Sequence, residues 1–138
     1  MNWDDYFPYF KPNEFTCKCG CGLNNMTDTH MDMLYKARIR AGIPFIINSG
    51  TRCTEHNEDI GGKETSDHLP GHGSDIKALS ARERFLMVEA LLFAGFSRIG
   101  IYPTFIHAGS RKDNPQDVLW HGSYNSPPPG VESYEQRR

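Results

Sequence analysis

Apolar residues recur at helical spacing in two stretches of the chain. Across 26–42, Met31, Leu34, Tyr35, Ala37, Arg38 and Ala41 follow Thr27 or Asp28 as an N-cap, and Gly42 and Pro44 stop the pattern, which predicts an amphipathic helix. A second helix is predicted from the Ser80 cap through Ala94, with Glu83 in the capping-box position, Phe85, Val88, Leu91 and Leu92 as its buried stripe, and Gly95 closing it. Shorter runs rich in β-branched and aromatic residues read as strands. These are Phe45-Ile46-Ile47-Asn48, Asp75-Ile76-Lys77-Ala78, two short strands around Pro103 within 98–109, and Val118-Leu119-Trp120, the last expected beside the strand that carries His107. Trp3, Tyr6, Phe7, Tyr9 and Phe10 give residues 1–12 more apolar area than a free tail would carry, so these residues are expected to pack as an irregular arm. Helices and strands in this order predict an α+β fold, with helices on one face of a small, largely antiparallel sheet.

The segment 51–72 has no apolar periodicity and is dense in Gly, Thr, Asp and His, which in a compact domain marks a functional loop. Residues 126–138 open on Ser126-Pro127-Pro128-Pro129-Gly130 and read as a mobile tail behind one domain spanning 1–125. A length of 138 residues suits one domain with a modest core. The formal charge of −2 is nearly neutral and the basic residues are scattered. Neither nucleic acid nor membrane insertion is therefore expected among its partners, and oligomeric state is not legible. Met1-Asn2-Trp3-Asp4-Asp5 is acidic and aromatic, unlike a signal peptide, so cytoplasmic synthesis is expected, with any export needing another route.

Chemistry concentrates in Ser66-Asp67-His68-Leu69-Pro70-Gly71-His72-Gly73-Ser74-Asp75-Ile76. Pro70, Gly71 and Gly73 forbid a continuous helix and favour a bend that returns Asp75 toward the His68 imidazole. Zinc accepts imidazole nitrogen and carboxylate oxygen, and a catalytic zinc takes three protein ligands with one position left for water. His107, in a strand, is the best candidate for the third. His72 imitates a helical His-x-x-x-His pair with His68, but Pro70 and Gly71 argue against that helix and against His72 as a ligand.

The run from Ser66 to Asp75 resembles the Ser-x-His-x-x-Gly-x-Ala-x-Asp signature of the M15 metallopeptidases, the D-alanyl-D-alanine carboxypeptidase group, with Gly73 where Ala is usual. Upstream, Ser49-Gly50-Thr51-Arg52 and Gly61-Gly62 are similar to further family segments. Phe15-Thr16-Cys17-Lys18-Cys19-Gly20-Cys21-Gly22 resembles the amino-terminal end of a small subgroup, many from bacteriophages and bacteria. The resemblance spans roughly residues 7–121. It implies a hedgehog-like zinc peptidase fold, with the metal on the sheet face away from the helices, and Zn2+ held by His68, Asp75 and His107. Arg52 is implied to bind the substrate's carboxylate or carbonyl, with Ser66 as a supporting residue. The implied substrate is a peptidoglycan stem peptide, cut by carboxypeptidase or endolysin-type endopeptidase action. The implied setting is phage lysis or a virion component. The alternative is a zinc-stabilised cell-wall-binding or structural module of phage origin with little turnover.

Two positions depart from the family. Many M15 enzymes carry an acidic general base three residues before the last zinc histidine, where this chain has Thr104. Similar members of the subgroup often have Asp two residues after it, where this chain has Gly109. The base is placed on His121, with Asp67, Asp113 and Asp117 as the other candidates. For Cys17, Cys19, Cys21 and Cys53, three states stay open: free thiols, the default without an export signal; one bridge to Cys53; or a second, structural zinc, whose usual Cys-x-x-Cys spacing is missing.

Overall fold

The computed structural model describes residues 1–123; the tail predicted at 126–138 lies outside the described residues. Along the chain come α1 (Asp28–Ala41), β1 (Ile47–Ser49), α2 (Thr54–Asp59), β2 (Gly73–Lys77), α3 (Ala81–Ala94), β3 (Arg98–Ile101), β4 (Phe105–Gly109) and β5 (Val118–His121). The five strands form one sheet in the order β1-β2-β4-β3-β5. All neighbours are antiparallel except β3 and β5, which run parallel. The fold is mixed α+β, as the sequence pattern predicts.

Local chemistry sets the helix limits. The Thr27 hydroxyl accepts from the His30 amide at the start of α1, and Gly42 ends it with φ 69°. Ser80 and Glu83 form the expected capping box before α3, and Gly95 ends that helix with φ 108°. α1 and α3 pack on each other, and their apolar faces meet Ile76, Ile99, Ile106 and Ala108 of the sheet in one core. The amino-terminal arm joins this core through Tyr6, Phe10 and Phe15, while Phe7 remains 65% exposed.

Three elements differ from the sequence pattern. α3 buries Met87, Ala90, Leu91 and Ala94, whereas Phe85 and Leu92 are 71% and 56% exposed. The helix is apolar around most of its circumference, so periodicity alone allows two stripes, and contact with α1 selects the one on small Ala90 and Ala94. Phe85 and Leu92 instead line a surface groove with Val88 and Ile101. The loop 51–72 contains the short helix α2, whose Asn57 is buried and polar and leaves no apolar stripe to read. β5 pairs with β3 and not with the strand of His107, because β3 lies between them.

His30 is fully buried on α1 between two hydroxyls. Its Nδ1 is 2.7 Å from Ser110 Oγ and its Nε2 2.7 Å from Ser74 Oγ, so the ring ties the helix to β2 and to the end of β4. Burial pushes its pKa from 6.5 down to about 3, with the nearby His72 and His107 adding to the effect. The unfolded chain therefore takes up this proton first as pH falls. Stability linked to His30 is intact above its unfolded pKa and is lost as pH drops from 6.5 toward about 3. Urea unfolding of His30→Gln across that window is expected to give a flatter pH dependence than the parent protein, by up to about 1.4 kcal/mol per pH unit. Identical slopes would show that His30 is not held neutral in the fold.

Candidate metal centre

The face of the sheet turned away from α1 and α3 carries the chemistry. Antiparallel pairing sets Asp75 of β2 directly opposite His107 of β4, with side chains on the same face, and His68 approaches from the loop before β2. His107 Nδ1 lies 2.9 Å from Asp75 Oδ1, and His68 Nε2 lies 3.3 Å from Asp75 Oδ2. One ligand atom from each of the three residues falls within 4.8 Å of the others, a group able to hold a metal ion. The turn that returns His68 to β2 is tight: a Cβ at position 73 would sit 2.8 Å from the His68 backbone nitrogen. That contact accounts for glycine where the family usually has alanine.

Each imidazole is fixed from behind. His68 Nδ1 is 2.7 Å from the Gly50 carbonyl oxygen, which can only accept, so Nδ1 carries the proton and Nε2 is left as the ligand. His107 Nε2 is 2.8 Å from Asp67 Oδ2, which leaves Nδ1 facing Asp75. Asp67 is itself gripped by Arg98, whose Nε and Nη2 donate to it at 3.1 and 3.2 Å, both side chains being 2% exposed. The Arg111 amide and Asn114 Nδ2 donate to Asp67 Oδ1 as well.

Burial would raise the carboxyls of Asp67 and Asp75. His107 and Arg98 outweigh it at the first, and His68 and His107 at the second, holding both well below the usual carboxylate range. Burial would likewise lower His107, but Asp67 and Asp75 push it up to about 9. With the Nδ1 proton of His107 displaced by the metal, two imidazoles with assigned back partners and an ionised carboxylate match the donor set of a divalent zinc site.

Arg52 stands beside this group. Its backbone N–H donates to the His68 carbonyl, Nη1 donates to Asn57 Oδ1 at 3.1 Å, and Nε is buried without a hydrogen-bond partner. Burial pulls the guanidinium below its ordinary pKa, with the negative charge of Asp75 opposing. Ser66 acts on the turn: its hydroxyl accepts from the His68 amide at 3.2 Å and so supports the ligand loop. His72 bonds to Ser110 and Thr27, apart from the trio, as the break in helicity implied.

Among the described residues, Asp67 is the one candidate base bonded to the trio, from behind His107. Along β5, Trp120 is buried and its ring lies 5.8 Å from that of His107. Strand alternation sends His121 to the opposite face, where it is exposed. Among the described residues no hydrogen bond or ion pair joins His121 to His68, Asp75 or His107. Its placement thus departs from the expectation, which assumed that β5 flanks the His107 strand. Asp113 is exposed and paired with Arg111, and Asp117 occupies a turn with φ 59°. Asp67 is committed to the rear of His107. Its carboxyl also fills the space at position 109, where a Cβ would lie 2.6 Å from Asp67 Cγ, so glycine is required there.

Sequence reasoning did not assign Arg98, the Gly50 carbonyl or Asn57 to this site. Arg98 was legible as a charge inside an apolar strand; a backbone carbonyl has no sequence signature.

The arrangement defines a class, α+β domains with a His–Asp–His group able to take a divalent metal. The family model described as Peptidase M15 matches residues 8–109, well over half of the chain. The chain belongs to the peptidase M15 family, which implies a hydrolase. No curated protein matches it.

Replacing Asp67 with Asn keeps the shape but removes the charge behind His107. Zinc affinity is expected to fall by about 10- to 100-fold. Unfolding should be easier by on the order of 3 kcal/mol, because Arg98 loses its buried counter-charge. Chelator competition and urea unfolding measure the two effects; unchanged affinity would remove Asp67 from the support of His107.

Proposed function

We propose that this protein is a zinc-dependent peptidase acting on peptidoglycan stem peptides, as a D-Ala-D-Ala carboxypeptidase or an endolysin-type endopeptidase. The observation that carries the proposal is the Arg52 guanidinium with its unpartnered, buried Nε next to the His68–Asp75–His107 group. An arginine fork suits a carboxylate or a peptide carbonyl, so substrate would be gripped beside the metal. His68 Nε2, Asp75 and His107 Nδ1 would hold Zn2+, which supplies Lewis-acid polarisation of a carbonyl and activation of water. The chain's part is orientation: Gly50 and Asp67 fix the two imidazoles, Ser66 fixes the turn, and Asn57 holds one arm of Arg52.

A second reading, a cell-wall-binding or structural module of phage origin with little turnover, is favoured by one observation. The usual base positions carry Thr104 and Gly109, and Asp67, the acid nearest His107, is committed to His107 and Arg98. Incubation of the zinc-loaded protein with purified cell wall separates the two readings. The peptidase releases free D-alanine or cleaved stem peptide; the module binds the wall and releases neither.

His68→Ala and His107→Ala are each expected to lose zinc and hydrolysis together, and a variant that keeps full zinc leaves the ligand set. Arg52→Ala is expected to leave thermal unfolding nearly unchanged while lowering kcat/KM on peptides with a free terminal carboxylate by about 10- to 100-fold, the worth of a hydrogen bond to a charged group. A carboxypeptidase also discriminates against the amidated peptide, and Arg52→Ala should erase that preference. A large stability loss with unaltered kinetics would make Arg52 structural.

A further inference from the structure

Some distance along the same loop from the His68 trio, four sulfurs meet. Cys17, Cys19 and Cys21 come from the segment that leads into α1, and Cys53 comes from the residue after Arg52. Their Sγ atoms all lie within 4.8 Å of one another. Cys17 Sγ is 3.5 Å from Cys19 Sγ, and Cys19 Sγ is 3.7 Å from Cys53 Sγ. A tetrahedral site with Zn–S bonds of about 2.3 Å separates its sulfurs by about 3.8 Å, whereas a disulfide brings two sulfurs to about 2.05 Å and leaves the rest apart. All four cysteines are unbridged.

The backbone is arranged around the sulfurs. The Cys17 amide donates to the Leu23 carbonyl at 2.8 Å, closing a loop whose Gly20 and Gly22 take φ of 92° and 83°. Those angles let three cysteines at alternate positions turn toward one point. Amide N–H groups then aim at sulfur: Cys53 N to Cys17 Sγ at 3.4 Å, Leu23 N to Cys21 Sγ at 3.5 Å, and His56 N to Cys53 Sγ at 3.3 Å. Donors of this kind stabilise thiolate charge, the form that binds metal. Cys17 is buried, Cys53 half-buried, and Cys19 and Cys21 exposed, so a metal can enter from solvent.

We infer that Cys17, Cys19, Cys21 and Cys53 form a second, structural metal site for a thiophilic divalent cation, zinc by its tetrahedral sulfur set, which clamps the amino-terminal segment to the loop bearing Arg52. The clamp closes a loop between ligands 34 residues apart and adds to the Thr51–Phe15 and Thr51–Asn25 hydrogen bonds that already join the two segments. Arg52 lies between the two centres and feels the charge of both Asp75 and Cys17. The sulfur site stands whether or not the His68 trio hydrolyses peptides.

Metal analysis of the full chain, purified reduced and without chelator, tests this. The parent protein is expected to hold two zinc ions per chain, one for each potential group. Cys19→Ser and Cys21→Ser, at exposed positions, should each lower the count by one. A His68→Ala, His107→Ala double variant should keep one zinc, and removing it with chelator should lower its Tm. Cobalt substitution reads the ligands directly: thiolate-to-cobalt charge-transfer absorption should persist in the histidine double variant and vanish in Cys21→Ser. A reduced parent protein whose only zinc is lost in the histidine variant, or cobalt loading of that variant without thiolate absorption, would overturn the inference. So would a native disulfide found by mass spectrometry under anaerobic purification. A lack of hydrolysis leaves all these readouts unchanged and bears only on the peptidase proposal.

Discussion

The site depends on the register between β2 and β4. Side chains alternate along a strand, so pairing Asp75 with His107 also pairs Ile76 with Ile106 on the opposite face, where both are fully buried beneath α1 and α3. A slip of one residue would turn Asp75 and His107 into the core and the isoleucines into solvent. Burying each isoleucine is worth roughly 1.5–3 kcal/mol, and burying the two charged groups without partners would cost several more. Hydrophobic packing on the helix face therefore fixes the geometry of polar groups on the other face.

A second layer holds the orientation of His107. Asp67 and Arg98 form a buried ion pair, an arrangement in which desolvation consumes most of the Coulombic gain. Its value here lies in direction. The two-pronged grip of Arg98 leaves Asp67 Oδ2 aimed at His107 Nε2, and the His107 tautomer follows. Gly109 is part of the same arrangement, because any side chain there would enter the volume of the Asp67 carboxyl. The acidic group that similar members of the subgroup are expected to carry after the last histidine has no room in this chain, and an acid from the preceding loop fills that space instead.

Much of this was legible in the sequence. Helix caps at Thr27 and Ser80, stops at Gly42 and Gly95, and the turn between His68 and Asp75 rest on short-range chemistry, and they read directly. The errors lie where long-range packing decides. Phe85 and Leu92 suit a helical stripe as well as Met87 and Leu91 do, and only the position of α1 selects between them. His121 was expected near His107 because its strand was expected beside β4; the parallel pairing with β3 and the alternation at Trp120 move it to the other face. His30 was not singled out in the sequence, because the partners that explain its burial, Ser74 and Ser110, come from the distant sheet. The cysteine triplet lacks the usual knuckle spacing, and the nearness of its sulfurs to Cys53 depends on two left-handed glycines and a distant segment that spacing does not show.

Four consecutive residues after β1 explain why an aromatic amino-terminal arm belongs to a domain of this kind. The Gly50 carbonyl orients His68, and a Cβ at Gly50 would lie 2.8 Å from Phe15 Cα, so the arm presses directly against that backbone. Thr51 donates its amide to the Phe15 carbonyl and its hydroxyl to Asn25, and is itself buried. Arg52 faces Asp75, and Cys53 joins the sulfur group. Each successive residue thus answers to a different neighbour: ligand, arm, anionic site and cysteine loop. A short segment with so many fixed partners loses most of its backbone freedom, and the rigidity that results reaches both the His68 ring and the guanidinium. The packing of Phe10 and Phe15 is in this way coupled to the geometry of the metal centre, although neither ring belongs to it.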